Sequence, residues 1–289
     1  MDVMVDRSGS PRPDGSEEGG RKKLSVAIIA QNEQERIVKA IESCRSFADE
    51  IVVVDGGSTD RTAEIAAACG CSVYHNPWPG YAKQRNFAAG KARHDWILML
   101  DTDEFPDEEL IRSIHLWKLD AGAREDAYRL YRIGNFMGKW LDRGEYLVRL
   151  YDRRRISVVD TPVHEAPDVG GRPVGTLPGI LWHDGFRSIE DHVIRFNRYT
   201  NLEAEKAFAA GKPFRLYRLL ARPSLRFVQK YFVQGLFRKG LAGLTIAVLW
   251  SYYEYLAQIK HYEKRRLSAG GRTPAQHTGA PERATPVSM

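Results

Sequence analysis

The chain has 289 residues, 43% hydrophobic and 10% aromatic, enough to bury a core in one large domain with a smaller appendage. Its three cysteines, Cys44, Cys69 and Cys71, are odd in number and lack metal-ligand spacing, which argues against a disulfide framework and for a reducing compartment. The formal net charge of +6 is uneven: residues 187–266 carry 16 Lys plus Arg against 6 Asp plus Glu, so the C-terminal third is the part suited to an anionic partner.

Residues 1–23 hold Ser, Gly, Pro and scattered charge without an apolar run, the composition of a disordered lead-in rather than a signal peptide or anchor. Leu24-Ser-Val-Ala-Ile-Ile-Ala30 and Glu50-Ile-Val-Val-Val-Asp55 are short β-branched runs, the pattern of strands buried on both faces. Between them Ile37, Ala40, Ile41 and Cys44 recur at helical spacing, which makes a βαβ unit with parallel strands. Ser58, Thr59 and Asp60 are N-cap types ahead of an Ala-rich helix over 63–69, and Ser72-Val-Tyr74 and Trp96-Ile-Leu-Met-Leu100 read as further strands. This alternation predicts an open α/β sheet. Beyond it the pattern predicts a helix over 107–119, strands over 127–131 and 146–151, and a loop-rich stretch over 161–185. From Ile189 the spacing is helical, interrupted by Gly211, Pro213 and Pro223. The expected organisation is a disordered segment 1–23, a catalytic α/β domain 24–188, a basic helical extension 189–267 and a disordered tail 268–289.

In a parallel sheet the C-terminal strand ends line the ligand crevice, and Asp101-Thr-Asp-Glu104 directly follows a strand. Carboxylates two residues apart suit Mg2+ or Mn2+, which complete their shells with water and phosphate oxygens; the alternative is an acidic turn capping the next helix. Asp55 also ends a strand, ahead of Gly56-Gly57-Ser58, a turn whose backbone can approach a ligand closely. It suits either a ribose or base contact or a turn role. Gln31-Asn-Glu33 ends the first strand, where Asn32 and Glu33 are equally at home in a helix start.

Together, Gln31-Asn-Glu33, the run from Ile51 to Asp60 and Leu100-Asp-Thr-Asp-Glu104 resemble the inverting family 2 glycosyltransferases of GT-A fold. The runs Asn76-Pro-Trp-Pro-Gly-Tyr-Ala-Lys-Gln-Arg-Asn-Phe87, Thr161-Pro-Val-His-Glu165 and Ile194-Arg-Phe-Asn-Arg-Tyr199 resemble motifs of the lipopolysaccharide core subgroup, the heptose-linked β-glucosyltransferase type. The resemblance covers residues 24–266. It implies a Rossmann-like open mixed sheet flanked by helices, with a C-terminal helical extension. It also implies that Gln31, Asn32, Glu33 and Asp55 border the nucleoside and that Asp101 and Asp103 form the metal pair, with Asp103 the direct ligand. Gly57 and Thr102 stand where many relatives have Ser and Ala, and neither change removes a carboxylate. Lys83 and Arg85 are placed to neutralise donor phosphates or simply to face solvent, and Arg149 to reach the same phosphates. Glu165 matches the acidic position that acts as base, although this subgroup has His-Glu where many relatives have Glu-Asp. His164 would orient it, or serve structurally. His183 is a candidate further metal ligand, or a packed side chain.

The partners so implied are a nucleotide-sugar donor and a lipid-linked saccharide, met at the cytoplasmic face of the inner membrane. Arg215, Arg218, Arg222 and Arg226 follow helical spacing beside Leu216, Leu219, Leu220, Phe227 and Tyr231, a basic amphipathic surface suited to anionic lipid. Tyr252, Tyr253, Tyr255 and residues 260–266 read as interfacial anchors, and the apolar run 241–250 is too short to span a bilayer. The alternative is a helix packed on the catalytic domain. Nucleic acid is not expected as a partner, since no recognition motif is present. Two other functions fit the α/β pattern: a sugar nucleotidyltransferase, and a non-catalytic sugar-nucleotide or lipid binder.

Overall fold

Seven consecutive buried residues, Leu24–Ala30, form strand β1 in the interior of a mixed sheet, between two parallel neighbours. The structure is a computed structural model and describes residues 21–122, 124–159 and 166–269. The expected disordered stretches therefore fall largely outside the described residues. At their inner ends, the Lys22 N–H donates to the Lys118 carbonyl (2.8 Å), and Ser268 and Ala269 still belong to a helix.

After β1 come α1 (Ile37–Cys44), β2 (Glu50–Asp55), α2 (Thr62–Ala68), β3 (Ser72–His75), α3 (Tyr81–Lys91) and β4 (Trp96–Asp101). β5 (Glu104–Pro106), α4 (Glu108–Leu119), β6 (Ala127–Phe136), β7 (Lys139–Trp140) and β8 (Glu145–Asp152) follow. A two-stranded ribbon, β9 (Val158–Val159) with β10 (Ala166–Pro167), precedes β11 (Val174–His183). The sheet order is β3-β2-β1-β4-β8-β6-β11-β5, with β7 paired to β6. β3, β2, β1 and β4 run parallel, as the βαβ pattern requires; β8 is antiparallel to β4 and to β6.

Alternation along β1 distributes the core to both faces. Val26 and Ile28 pack with α1 and α4 residues such as Ile41 and Ile114, whereas Ala27 and Ile29 pack with Ala88 and Ala89 of α3. Each fully buried Val or Ile among these contributes about 1.5–3 kcal/mol. Ile37, Ala40, Ile41 and Cys44 are the buried stripe of α1, as their spacing predicts. The Asp107 side chain caps α4 by accepting from the Leu110 N–H (2.8 Å). Cys44, Cys69 and Cys71 are free, and burial pushes the Cys44 thiol up to about 12.

The sequence pattern fails at β11. Gly175, Pro178 and Gly179 suggest loop, yet ten residues form a strand between β6 and β5, with its register broken between Thr176 and Ile180. The glycines and proline are accommodated by that irregularity rather than by leaving the sheet.

The chain divides after Phe186 into a second unit. It holds α5 (Ile189–Ala209), α6 (Leu216–Val228) continued by a π-helical stretch Gln229–Val233, a 3-10 turn Leu236–Lys239 and α7 (Gly240–Ala269). Phe196 packs against Trp250 and Tyr253, with ring centroids 5.1 and 4.9 Å away. Three expectations change here. Arg226 bonds Glu254 and Arg222 lies 3.7 Å from it, so this part of the arginine stripe faces α7. Tyr253 is buried and donates to Glu203 (2.9 Å), and Lys260 bonds Asn197 and Thr200, so neither is an interfacial anchor.

Candidate active site

Strand order reverses on either side of β1, and the registers Ala30↔Asp55 and Ile29↔Asp101 bring the C-terminal ends of β1, β2 and β4 level. That is the topological switch point at which open α/β sheets bind ligands. Two loops are stapled together there. Asn32, at a left-handed φ of 56°, donates its N–H to Ser58 Oγ (2.9 Å) and accepts the Thr59 N–H on Oδ1 (2.8 Å). The Glu33 N–H donates to Thr62 Oγ1 (2.8 Å), and exposed Gln31 donates to the Gly56 carbonyl (3.2 Å).

Asp55 is buried and accepts from the Gly57 N–H (3.1 Å), the Ser58 N–H (3.1 Å) and the Ser58 hydroxyl, with His75 Nδ1 at 3.2 Å. Burial pushes its carboxyl up, but these hydrogen bonds outweigh it and hold the group below the usual range. Both oxygens thus serve the turn itself. Gly57 is required there by its φ of +98°. At Gly56 an added Cβ would lie 2.6 Å from the Trp78 ring, so the bare backbone lets that indole cover the end of β1.

Asp101 and Asp103 meet different surroundings. Arg85 Nη2 of α3 donates to Asp101 Oδ1 (2.7 Å), and Arg149 Nη2 of β8 donates to Asp101 Oδ2 (2.8 Å). Burial raises the Asp101 carboxyl, yet the two guanidiniums hold it far below the usual range. Glu104, fully buried, accepts from Arg149, from Arg132 Nη1 (3.0 Å) and from the Asp101 N–H (3.1 Å). Arg85 and Arg149, expected to meet donor phosphates, here direct their charge at the carboxylates of Asp101 and Glu104. Thr102 is buried between the two aspartates, and Lys83 is exposed on a different face of α3 from Arg85.

Asp103 Oδ2 lies 3.5 Å from His183 Nε2. β5 follows Asp103 and pairs antiparallel with β11, opposing His183 to Glu104, while the Asp184 N–H donates to the Asp103 carbonyl (2.8 Å). Gly185 keeps this junction tight: a Cβ there would stand 2.3 Å from His183 Nε2 and 3.2 Å from Asp103 Oδ2. Burial raises the Asp103 carboxyl, and His183 with Arg36 more than reverses the effect. Arg36 Nη1 is buried with no hydrogen-bond partner among the described residues, and lies 3.9 Å from Asp103 Oδ2.

This donor set fits a hard divalent cation. Adjacent ligands with bonds of ~2.1 Å stand about 3 Å apart, close to the separation of the Asp103 oxygen and the His183 nitrogen. Among the described residues no group of three or more His, Cys, Asp or Glu could hold a metal ion, so the rest of a shell would come from ligand oxygens and water. Arg36, Glu104, Arg132 and Gly185 were not assigned roles from sequence. Glu104 belongs to the acidic motif itself, and Arg36 and Gly185 lie within three residues of Glu33 and His183, whereas nothing near Arg132 in the sequence marks it.

His164 and Glu165 lie outside the described residues. The residues that flank that segment are Val159 and Ala166, paired in the β9–β10 ribbon. Asn86 fastens the ribbon to α3 by exchanging two hydrogen bonds with Val158 (2.7 and 2.9 Å).

The model of the family described as Glycosyl transferase family 2 matches residues 25–123, which include β1 through β4 and α4. A glycosyltransferase of Rickettsia typhi is 31% identical over 255 residues, covering 83% of this chain and 86% of its own. The lipopolysaccharide core biosynthesis glycosyltransferase LpsC of Rhizobium meliloti is 30% identical over 268 residues, covering 85% of this chain and 94% of that one. A mannosyltransferase of Pyrobaculum calidifontis, solved in complex with GDP-Man and Mn2+, superposes with a TM-score of 0.52 at 17% identity, over 85% of this chain and 88% of its own. With 30–31% identity to such relatives over more than four fifths of its length, and with its acidic loops gathered at one edge of a GT-A sheet, the chain belongs to glycosyltransferase family 2 and is a glycosyltransferase.

Proposed function

We propose that the protein moves a sugar, with inversion, from a nucleotide-diphosphate-sugar donor to a hydroxyl of a lipid-linked saccharide of the lipopolysaccharide inner core, at the cytoplasmic face of the inner membrane. The observation that carries this reading is the Asp103–His183 pair at the sheet's ligand-binding edge, with the buried Arg36 Nη1, which has no hydrogen-bond partner among the described residues, 3.9 Å from Asp103. The saccharide class is supported by the Rhizobium relative, a lipopolysaccharide core enzyme. Family membership leaves the nucleotidyltransferase and non-catalytic alternatives without support.

Bound Mg2+ or Mn2+ would supply Lewis-acid neutralisation of the departing diphosphate. Asp103 and His183 would hold it, and Arg36 would add positive charge beside the phosphates. Asp101, clamped by Arg85 and Arg149, fixes the strand end from which Asp103 projects. The stapled loops carrying Gln31, Asn32, Glu33, Asp55 and Gly57 would border the nucleoside. Glu165, oriented by His164, would accept the proton of the acceptor hydroxyl as its oxygen bonds the anomeric carbon; the bond to the diphosphate breaks with its electron pair staying on the diphosphate.

The test supplies purified protein with a panel of nucleotide sugars, a divalent cation and core-truncated lipopolysaccharide. Cation-dependent transfer is expected, and Asp103→Ala should lower it about 10²-fold or more in a protein with unchanged melting. Wild-type protein that neither transfers nor hydrolyses any nucleotide sugar would sink the reading.

A further inference from the structure

From Lys206 to Tyr253 the chain carries nine Lys and Arg and not one Asp or Glu. The same stretch holds the most exposed apolar side chains of the helical unit. α6 has no buried residue. Leu216, Leu220, Val228 and Phe232 recur at multiples of four residues along the continuous helix from Leu216 to Val233, and all four are exposed. The side carrying Arg222, Pro223 and Arg226 is the one turned to α7, where Glu254 and Ser251 meet it. The chain then reverses through Gly235 and Gly240, both at left-handed φ, and leaves Val233, Phe237 and Leu241 exposed at the bend, Leu241 by 72%.

An apolar ridge of this extent on a water-facing surface calls for an occupant. A second copy of the chain is disfavoured by charge. A two-fold contact through this face would bring two cationic segments together, while the neighbouring acid Glu254 is already engaged by Arg222 and Arg226. A spanning segment is disfavoured by composition. Among the described residues no single helix is long and apolar enough to cross a membrane, and Leu216–Val233 with Leu236–Ser268 reach that measure only together, across a 71° bend. A surface of apolar tips within a cationic field, on helices none of which is by itself apolar enough to span, matches a lipid leaflet bearing negative headgroups.

We infer that α6, the bend and the first half of α7 form a monotopic docking surface for an anionic lipid leaflet. The ridge from Leu220 to Leu241 enters the acyl boundary, and cations such as Arg218 and Arg238 meet headgroup phosphates. This deepens the proposed function, on which it rests for a lipid-linked acceptor at the same surface.

The experiment sediments the full chain with vesicles of phosphatidylcholine alone and with vesicles containing about one third phosphatidylglycerol. Binding to the anionic vesicles is expected to exceed binding to the neutral ones, and to fall about tenfold or more in Phe232→Glu and in Leu241→Glu. Arg238→Glu should weaken it in a salt-dependent way. All three variants should keep wild-type circular dichroism and donor hydrolysis in detergent. Equal partitioning of wild type and both apolar-site variants would overturn the inference. So would a stable dimer in sedimentation that those variants dissolve, in a wild type that binds no vesicle. Vesicle binding with this variant pattern, in a wild type that turns over no nucleotide sugar, would support the docking surface while removing the transferase reading beneath it.

Discussion

Glu104 has no solvent exposure, yet it is the residue on which the charges of this edge balance. It takes Arg132 and Arg149, and Arg149 in turn shares Asp101 with Arg85. Removing one member of such a buried network leaves a charge without its partner, which costs about 3–5 kcal/mol. The network therefore fixes where Asp101 sits and leaves Asp103 to act with His183. Gly185 makes that pairing sensitive to a single methyl group, since an added Cβ would overlap the His183 ring while the rest of the site stays in place. Gly185→Ala is expected to weaken cation-dependent nucleotide binding by about tenfold or more. Its stability loss should stay under about 1 kcal/mol, a melting shift of about 2–4 °C. Calorimetric titration of nucleotide with and without cation, beside a thermal melt, checks both. Unchanged affinity would remove His183 from any cation shell.

At the scale of elements, the same kind of close approach decides a strand. Gly179 lies at φ +104°, and a Cβ there would come within 2.2 Å of the Leu110 backbone nitrogen at the start of α4. Neither the strand nor the helix can yield, because Ile180 N–H and Leu110 N–H both donate to Asp107 Oδ1 (3.0 and 2.8 Å). Gly179→Ala is expected to destabilise the fold by at least about 2 kcal/mol, combining overpacking with a left-handed backbone, and urea unfolding would read it. A loss below about 0.5 kcal/mol would mean the junction is looser than its geometry. This also explains why β11 is illegible in sequence. Its glycines answer to Tyr128 and Leu110, neighbours that only the folded sheet brings near, whereas β1, β2 and β4 carry their burial in their own composition. The candidate site divides the same way. Asp101, Asp103 and Asp55 announce themselves by following apolar strands. That Asp101 would be held by two arginines, and Asp103 by a histidine 80 residues later in the chain, depends on pairing between β5 and β11. In α6 the arginine spacing is legible, but its facing toward Glu254 is not, because the acid lies on another helix.

At the scale of the whole molecule, the two units hold their titratable groups in different balances, and this separates their responses to acid. In the sheet unit, burial pushes Asp49, Asp55, Asp101 and Asp152 up, but Lys118, Ser58, the Arg85–Arg149 pair and Arg154 respectively outweigh it and leave each carboxyl below its usual range. Above about pH 5 these groups are charged in both the folded and unfolded chain, and their stabilising contacts are fully present. As pH falls through about 4 the unfolded chain takes up protons first, so stability is lost progressively until the folded carboxylates protonate as well. The helical unit responds earlier. Burial, aided by Arg195 and Arg265, lowers His192 and His261. Below about pH 6.5 an unfolded chain binds protons that these folded histidines refuse, which draws the equilibrium toward unfolding. Hydrogen-exchange protection factors, corrected for intrinsic rates, are therefore expected to fall in α5 and α7 between about pH 7 and pH 5, while those of β1, β2 and β4 hold until about pH 4. Protection lost in both units over one common pH range would show that neither the buried histidines nor the paired carboxylates govern acid unfolding.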